Sequence, residues 1–166
     1  FYQRGKLVLH GSAIEINGRA FLFIGISTSG KSFFASNFLD KSKLITEDIC
    51  VIDIIDDSFY VRPSIPLIKL DNPSIITSKY IKSEHKLIDK RNRKAVLLNN
   101  SKFSSNPIKI EACFVLSFSK KFEIEKIGFN KSFASMLLSS FKSNPTLSSK
   151  IHDSNIHHKI GNFLNA

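Results

Sequence analysis

Acidic residues and cysteines are few in this 166-residue chain, and it has no long apolar run. Asp plus Glu number 14 against 24 Lys plus Arg, a formal surplus of ten positive charges. That surplus favours acidic partners: nucleotide phosphates, an acidic protein, nucleic acid or anionic lipid. The only two cysteines, Cys50 and Cys113, stand far apart inside the apolar runs "DICVIDI" and "EACFVLSF". This spacing argues against a disulfide framework or a cysteine metal site and predicts buried thiols in a reducing, cytoplasmic setting. No apolar stretch reaches the roughly 18 residues a membrane span needs, and no signal peptide is visible, so no membrane partner is expected. Alanine is scarce while Lys, Ile and Asn abound, a bias that an AT-rich coding genome produces without any partner. Aromatic residues alternate with aliphatic ones as core strands do, and nucleic-acid binding is not expected.

Hydrophobic residues make up 42% of the chain and fifteen of them are Phe, enough to build a packed interior. The length suits one domain spanning residues 1–166. Because the chain opens at Phe1 without a Met and enters an apolar run almost at once, an N-terminal portion is expected to be missing from view.

"KLVLHGSAIEI" (6–16) alternates as a strand, Asn17-Gly18 is a dipeptide favoured in two-residue hairpin turns, and "RAFLFIG" is the return strand. "KSFFASNFLD" follows as a helix with Phe33, Phe34, Phe38 and Leu39 on one face. "KLITEDICVIDII" reads as two strands interrupted at Thr46-Glu47-Asp48, with Asp53, Asp56 and Asp57 read as a solvated acidic turn. In "FYVRPSIPLIKL", Pro63 and Pro66 argue against a central strand. A helix or loop is expected near Pro73–Ile81, then a basic surface segment within Lys79–Lys94, then a short strand "AVLL". "EACFVLSFS", buried on both faces, and "FEIEKIGF" read as adjacent strands. "NKSFASMLLSSFK" has helical spacing in Phe133, Met136, Leu137 and Phe141, with Asn130 or Ser132 as cap. One more helix is expected within Leu147–Leu164.

"GISTSGKS", comprising Gly25, Ile26, Ser27, Thr28, Ser29, Gly30, Lys31 and Ser32, matches the P-loop (Walker A) spacing G-x-x-x-x-G-K-[ST]. It lies where that motif must lie, between a strand and a helix. A phosphate chain needs several inward-pointing donors and no crowded wall. Gly25 allows a sharp exit from the strand and Gly30 a close approach of the backbone. The amides of 28–32 then form a nest for an anion. Lys31 reaches the β- and γ-phosphates, and the Ser32 hydroxyl ligates Mg²⁺.

Mg²⁺ on a triphosphate also needs a carboxylate at the end of a neighbouring strand. "LITED" supplies two, Glu47 and Asp48. One can hold metal while the other takes the proton of an attacking hydroxyl. His10, on the partner strand of the hairpin, is placed to return to the mouth of the loop.

Together, "LHGSAIEINGRAFLFIGISTSGKS", "KLITED" and "YVRPSIPLIKL" resemble the catalytic domain of HPr kinase/phosphorylase and its smaller serine-kinase relatives. The resemblance covers about residues 6–71. It implies a mixed α/β fold with a β-rich core carrying a P-loop, related to phosphoenolpyruvate carboxykinase. It assigns residues 25–32 to the nucleotide, Ser32 and Asp48 to Mg²⁺, Glu47 as catalytic base, His10 beside that base, and Arg62 as a candidate substrate or phosphate contact. It implies transfer of the γ-phosphoryl group of ATP to a serine of a small protein or peptide, and a homo-oligomer. Thr28 stands where the family has glycine and Glu47 where it has aspartate, departures that speak against a bifunctional kinase/phosphorylase. A nucleotide-binding sensor or accessory module and a P-loop kinase of a small metabolite are the competing readings. "KLIDKRNRK" (86–94) is a candidate docking stretch for an acidic acceptor.

Overall fold

The chain builds around one long antiparallel hairpin. β1 (Leu7–Ile16) and β2 (Arg19–Ile24) pair from Ile16↔Arg19 to Gly11↔Ile24. The turn between them holds Asn17 and Gly18 at φ 51° and 76°, the left-handed pair that a two-residue connection requires. The computed structural model describes residues 6–86, 93–140 and 156–165.

Beyond the 25–32 loop, α1 (Lys31–Asn37) is seven residues long, shorter than the expected 31–40. β3 (Lys43–Thr46) and β4 (Ile49–Ile55) then run along the same side of β1, Thr46 opposite Ala13 and Ile49 opposite His10. A hairpin turn at Asp56-Asp57, both in the left-handed region, leads to β5 (Ser58–Val61). The two prolines fall in the irregular stretch between β5 and β6 (Leu67–Leu70), where no ladder hydrogen bond is lost. Two short 3-10 turns, Pro73–Ile75 and Ser78–Tyr80, precede β7 (Ile81–Lys86), and β8 (Lys94–Leu98) and β9 (Ile108–Val115) follow. The chain described ends with α2 (Phe129–Ser139) and α3 (Ile156–Asn165).

The six-stranded sheet has the order β2-β9-β5-β4-β1-β3, and the additional β1–β2 pairing joins β1, β2, β9, β5 and β4 into a closed circuit. β2 and β9 are the parallel pair. Strand alternation divides the apolar residues between two cores. Leu7, Leu9, Ala13, Ala20, Leu22, Ile24, Cys50 and Ile52 face one, which α2 and α3 close with Met136 and Ile160. Ile14, Phe23, Leu39 and Leu44 face the other, beneath the smaller sheet β6-β8-β7, which adds Ile68, Leu70, Val96 and Leu98. The result is a mixed α/β, β-rich fold. No helix among the described residues is long and apolar enough to cross a membrane.

Several expectations are corrected. "FEIEKIGF" is not a strand: residues 122–128 are irregular, with Phe122 and Ile124 exposed, and no strand among the described residues pairs with them. β9 begins at Ile108 and ends at Val115, and none of its residues is fully buried, Lys109 and Glu111 being exposed. Phe38 stacks on Phe23 and Phe34 packs tilted against it, but Phe38 is still partly exposed and Phe33 more so. Neither Asn130 nor Ser132 caps α2, whose first turn starts from Gly128 without a side-chain cap. Asp53 is not in the acidic turn: it is buried in β4, with Lys6 Nζ 2.6 Å from Oδ1 and Arg62 Nε bonded to Oδ2. Burial alone would raise that carboxyl, but the two cations outweigh it and hold it below the usual carboxylate range. Phe141, Leu147–Asn155 and most of "KLIDKRNRK" (87–92) lie outside the described residues.

Candidate functional site

A cleft of about 540 Å³ opens between the 25–32 loop, β1, the β3–β4 junction and the start of the smaller sheet. Its floor is the consequence of one irregularity. Ile45 and Cys50 are five positions apart yet enter the same core, which strict alternation forbids. Ile45 is itself the extra residue, since Leu44 pairs with Ile14 and Thr46 with Ala13; the register then holds as far as Ile49 opposite His10, and within that stretch Asp48 takes φ 74°. Glu47 and Asp48, which a regular strand would point to opposite faces, both line the cleft. On β1, period-two alternation brings His10 and Ser12 to that same side.

The loop leaves β2 at Gly25, φ 145°, where an added Cβ would sit 2.6 Å from the Leu116 carbonyl oxygen. Gly30, φ 90°, starts α1, and the Phe34 amide donates to its carbonyl at 2.8 Å. Thr28 adopts φ 72°, so the position does demand the left-handed region and a β-branched residue fills it. Lys31 is only 7% exposed. Its Nζ donates to the carbonyls of Gly25 (3.0 Å) and Ile26 (2.8 Å), lashing the ammonium to its own loop. Burial lowers the Lys31 pKa, opposed by the charges of Asp48 and Glu47. The hydroxyl of Ser29 is buried and unpartnered.

The Ser32 hydroxyl donates to Glu47 Oε1 at 2.6 Å. Asp48 is held from two sides, with His10 Nε2 3.3 Å from Oδ1 and Lys69 Nζ donating to Oδ2 at 2.5 Å. Burial raises the Glu47 carboxyl above its ordinary range, opposed by the Ser32 bond. The His10 contact first, and then Lys69 against the opposing effect of burial, hold Asp48 well below the usual carboxylate range. The resemblance had placed Ser32 with Asp48 and His10 with Glu47. The side chains pair the other way round.

Of the expected site residues, His10, Ser27, Thr28, Gly30, Lys31, Ser32, Glu47 and Asp48 line the cleft. Gly25 and Ile26 contribute the carbonyls that hold Lys31, and Ser29, with its buried hydroxyl, is not among the lining residues. Arg62 is not among the lining residues, since its guanidinium pairs with Asp53 instead. Sequence reasoning missed Ser12, Lys69, Asp71 and Arg93 as lining residues. For Lys69 the available signal was a lone charge inside the alternating run Leu67–Leu70. Cys50 and Cys113 are free thiols, and burial pushes Cys113 up to about 12.

The fold and cleft together define a β-rich mixed α/β protein with a lysine-centred polar cleft. No protein family matches the sequence, and no curated protein matches it. Among solved structures, the HPr(Ser) kinase/phosphatase from Coxiella burnetii is similar at 15% identity and a TM-score of 0.48, over 72% of this chain and 65% of that one. The chain thus spans less than two thirds of that structure's length, and a likeness of this degree carries no argument about activity.

Proposed function

We propose that the chain binds ATP with Mg²⁺ in this cleft and transfers the γ-phosphoryl group to a serine hydroxyl of a small protein or peptide. The carrying observation is the pairing of a buried Lys31, held on loop carbonyls, with a Ser32 hydroxyl 2.6 Å from a carboxylate in the same cleft. The same proposal includes the finer fold reading, a P-loop on a core related to phosphoenolpyruvate carboxykinase. The serine acceptor rests on the resemblance of residues 6–71 to HPr kinase/phosphorylase.

Ser32 and Glu47 present two hard oxygen donors side by side, the donor type Mg²⁺ takes, and a triphosphate-bound Mg²⁺ needs only one or two protein carboxylates. These two residues would hold the ion. An Mg²⁺ ion held there would supply charge neutralisation to a nucleotide's terminal phosphates. Lys31 releases its two carbonyls for phosphate oxygens, a charge-assisted exchange for neutral acceptors. Asp48, oriented by His10, would hydrogen-bond the attacking serine hydroxyl and, being a weak base, take its proton only as the new O–P bond forms and acidifies it. The serine oxygen forms the new O–P bond as the bond from γ-phosphorus to the bridging oxygen breaks, and the electron pair leaves on ADP. Catalysis here is positioning and electrostatics rather than covalent chemistry by the protein.

Labelled ATP and Mg²⁺ with serine-bearing peptides test this. Asp48→Asn is expected to abolish transfer while sparing nucleotide binding, and Lys31→Ala to lose binding. Absence of any Mg²⁺-dependent ATP or ADP uptake by calorimetry would overturn the reading. Nucleotide binding with no transfer to any peptide would favour a sensor or accessory module.

A further inference from the structure

Lys69 reaches Asp48 from the smaller sheet, whereas His10 reaches it from β1 in the larger one. Ile68 and Leu70 bury themselves in the second core, and alternation along β6 turns Lys69 to the opposite face. There it crosses to Asp48 Oδ2 at 2.5 Å, with the Lys69 and Asp48 side chains 28% and 41% exposed. An ion pair that open to water contributes little to stability. Nearby, on the His10 side of β1, the Ser12 hydroxyl is buried and has no hydrogen-bond partner, although Ser12 lines the cleft. A buried hydroxyl without a partner is a penalty in the ligand-free chain, relieved when a ligand oxygen accepts from it.

We infer that Lys69 and Ser12 form the subsite for the terminal phosphoryl group of the nucleotide, with Lys69 stored on Asp48 until that group arrives. The inference rests on the nucleotide reading above and adds two residues that neither the motif nor the resemblance assigns. The cleft then grips the phosphates from opposite walls, Lys31 from the loop and Lys69 from the smaller sheet. Moving Lys69 onto a phosphate oxygen also frees Asp48 Oδ2, so that the carboxylate becomes open to a hydroxyl only when a phosphoryl donor is in place. A nucleoside diphosphate, which lacks the terminal group, leaves Lys69 on Asp48.

The experiment is calorimetry on the full chain with Mg·ADP and with Mg·AMP-PNP, a non-hydrolysable triphosphate. The parent is expected to prefer the triphosphate. Lys69→Met and Ser12→Ala are each expected to leave Mg·ADP affinity within about twofold and to weaken Mg·AMP-PNP about tenfold, the loss of a charge-assisted or buried hydrogen bond. Lys69→Arg is expected to retain most of the preference. Melting temperature tells folding from binding: Ser12→Ala removes an unsatisfied group and is expected to melt no lower than the parent. Should Lys69→Met fail to fold, Ser12→Ala and Lys69→Arg still decide the matter. Equal losses for both nucleotides, or no loss for either, overturn the subsite while leaving nucleotide binding intact. A parent that binds neither nucleotide overturns the functional reading and the subsite with it.

Discussion

Ser32 and Glu47, fifteen positions apart, meet through a 2.6 Å hydrogen bond that joins the start of α1 to the break between β3 and β4. The bond ties the glycine-bearing loop to the acidic pair. If both residues serve one Mg²⁺, their effects are coupled. Ser32→Ala and Glu47→Gln are each expected to reduce the gain in ADP affinity that Mg²⁺ confers. The double variant is expected to fall short of the sum by about 1–2 kcal/mol, as for residues sharing one partner. Titrations with Mg²⁺ and with a chelator measure this, and strict additivity contradicts a shared ion.

Thr28 holds a left-handed backbone at φ 72°. An L-residue with a Cβ is disfavoured there by about 1–2 kcal/mol, and glycine returns part of that gain through the greater freedom of the unfolded chain. Thr28→Gly is therefore expected to stabilise the fold by about 0.5–1 kcal/mol, raising the melting temperature by roughly 1–4 °C for a domain of this size. Thermal unfolding checks it, and a lower melting temperature would show that the Thr28 side chain contributes more than its backbone costs.

Asp53 is buried between Lys6 and Arg62, and its carboxyl is held low. A depressed folded-state pKa contributes stability above the unfolded value, near 3.9, which is lost as pH falls through the folded value. Asp53→Asn is expected to destabilise by about 1–3 kcal/mol at pH 7, since it weakens hydrogen bonds between charged groups. The deficit is expected to shrink progressively below about pH 4, where the parent carboxylate also takes up its proton. Urea unfolding across pH 3–7 reads both. A deficit constant with pH would show that packing, not charge, is what the carboxylate provides.

Local chemistry made much of this legible. Asn17-Gly18 announced the hairpin because so few residue pairs accept positive φ at both turn positions. Glu47-Asp48 announced a break because two charges in an apolar run cannot both be buried. What escaped depended on distant partners. "FEIEKIGF" alternates like a strand, but an alternating pattern becomes a strand only beside a neighbour, and Phe122 and Ile124 remain 81% and 73% exposed. Arg62 was drawn toward the cleft by its place in the motif, whereas the register of β4 against β5 set it beside Asp53. Lys69 is set by the docking of the smaller sheet rather than by its sequence neighbours, and its bond to Asp48 spans 21 positions.

The positive φ of Asp48 also bears on how such a site decays. The left-handed region admits Gly, Asn and Asp readily, and β-branched residues poorly. Asn and Gly are each one nucleotide change from an Asp codon. Either would keep the chain's path through the β3–β4 junction while erasing the charge. If Asp48 takes the proton as proposed, its loss would leave the backbone path intact, and a lineage freed from selection for turnover could drift into a folded, non-reacting form by a single mutation.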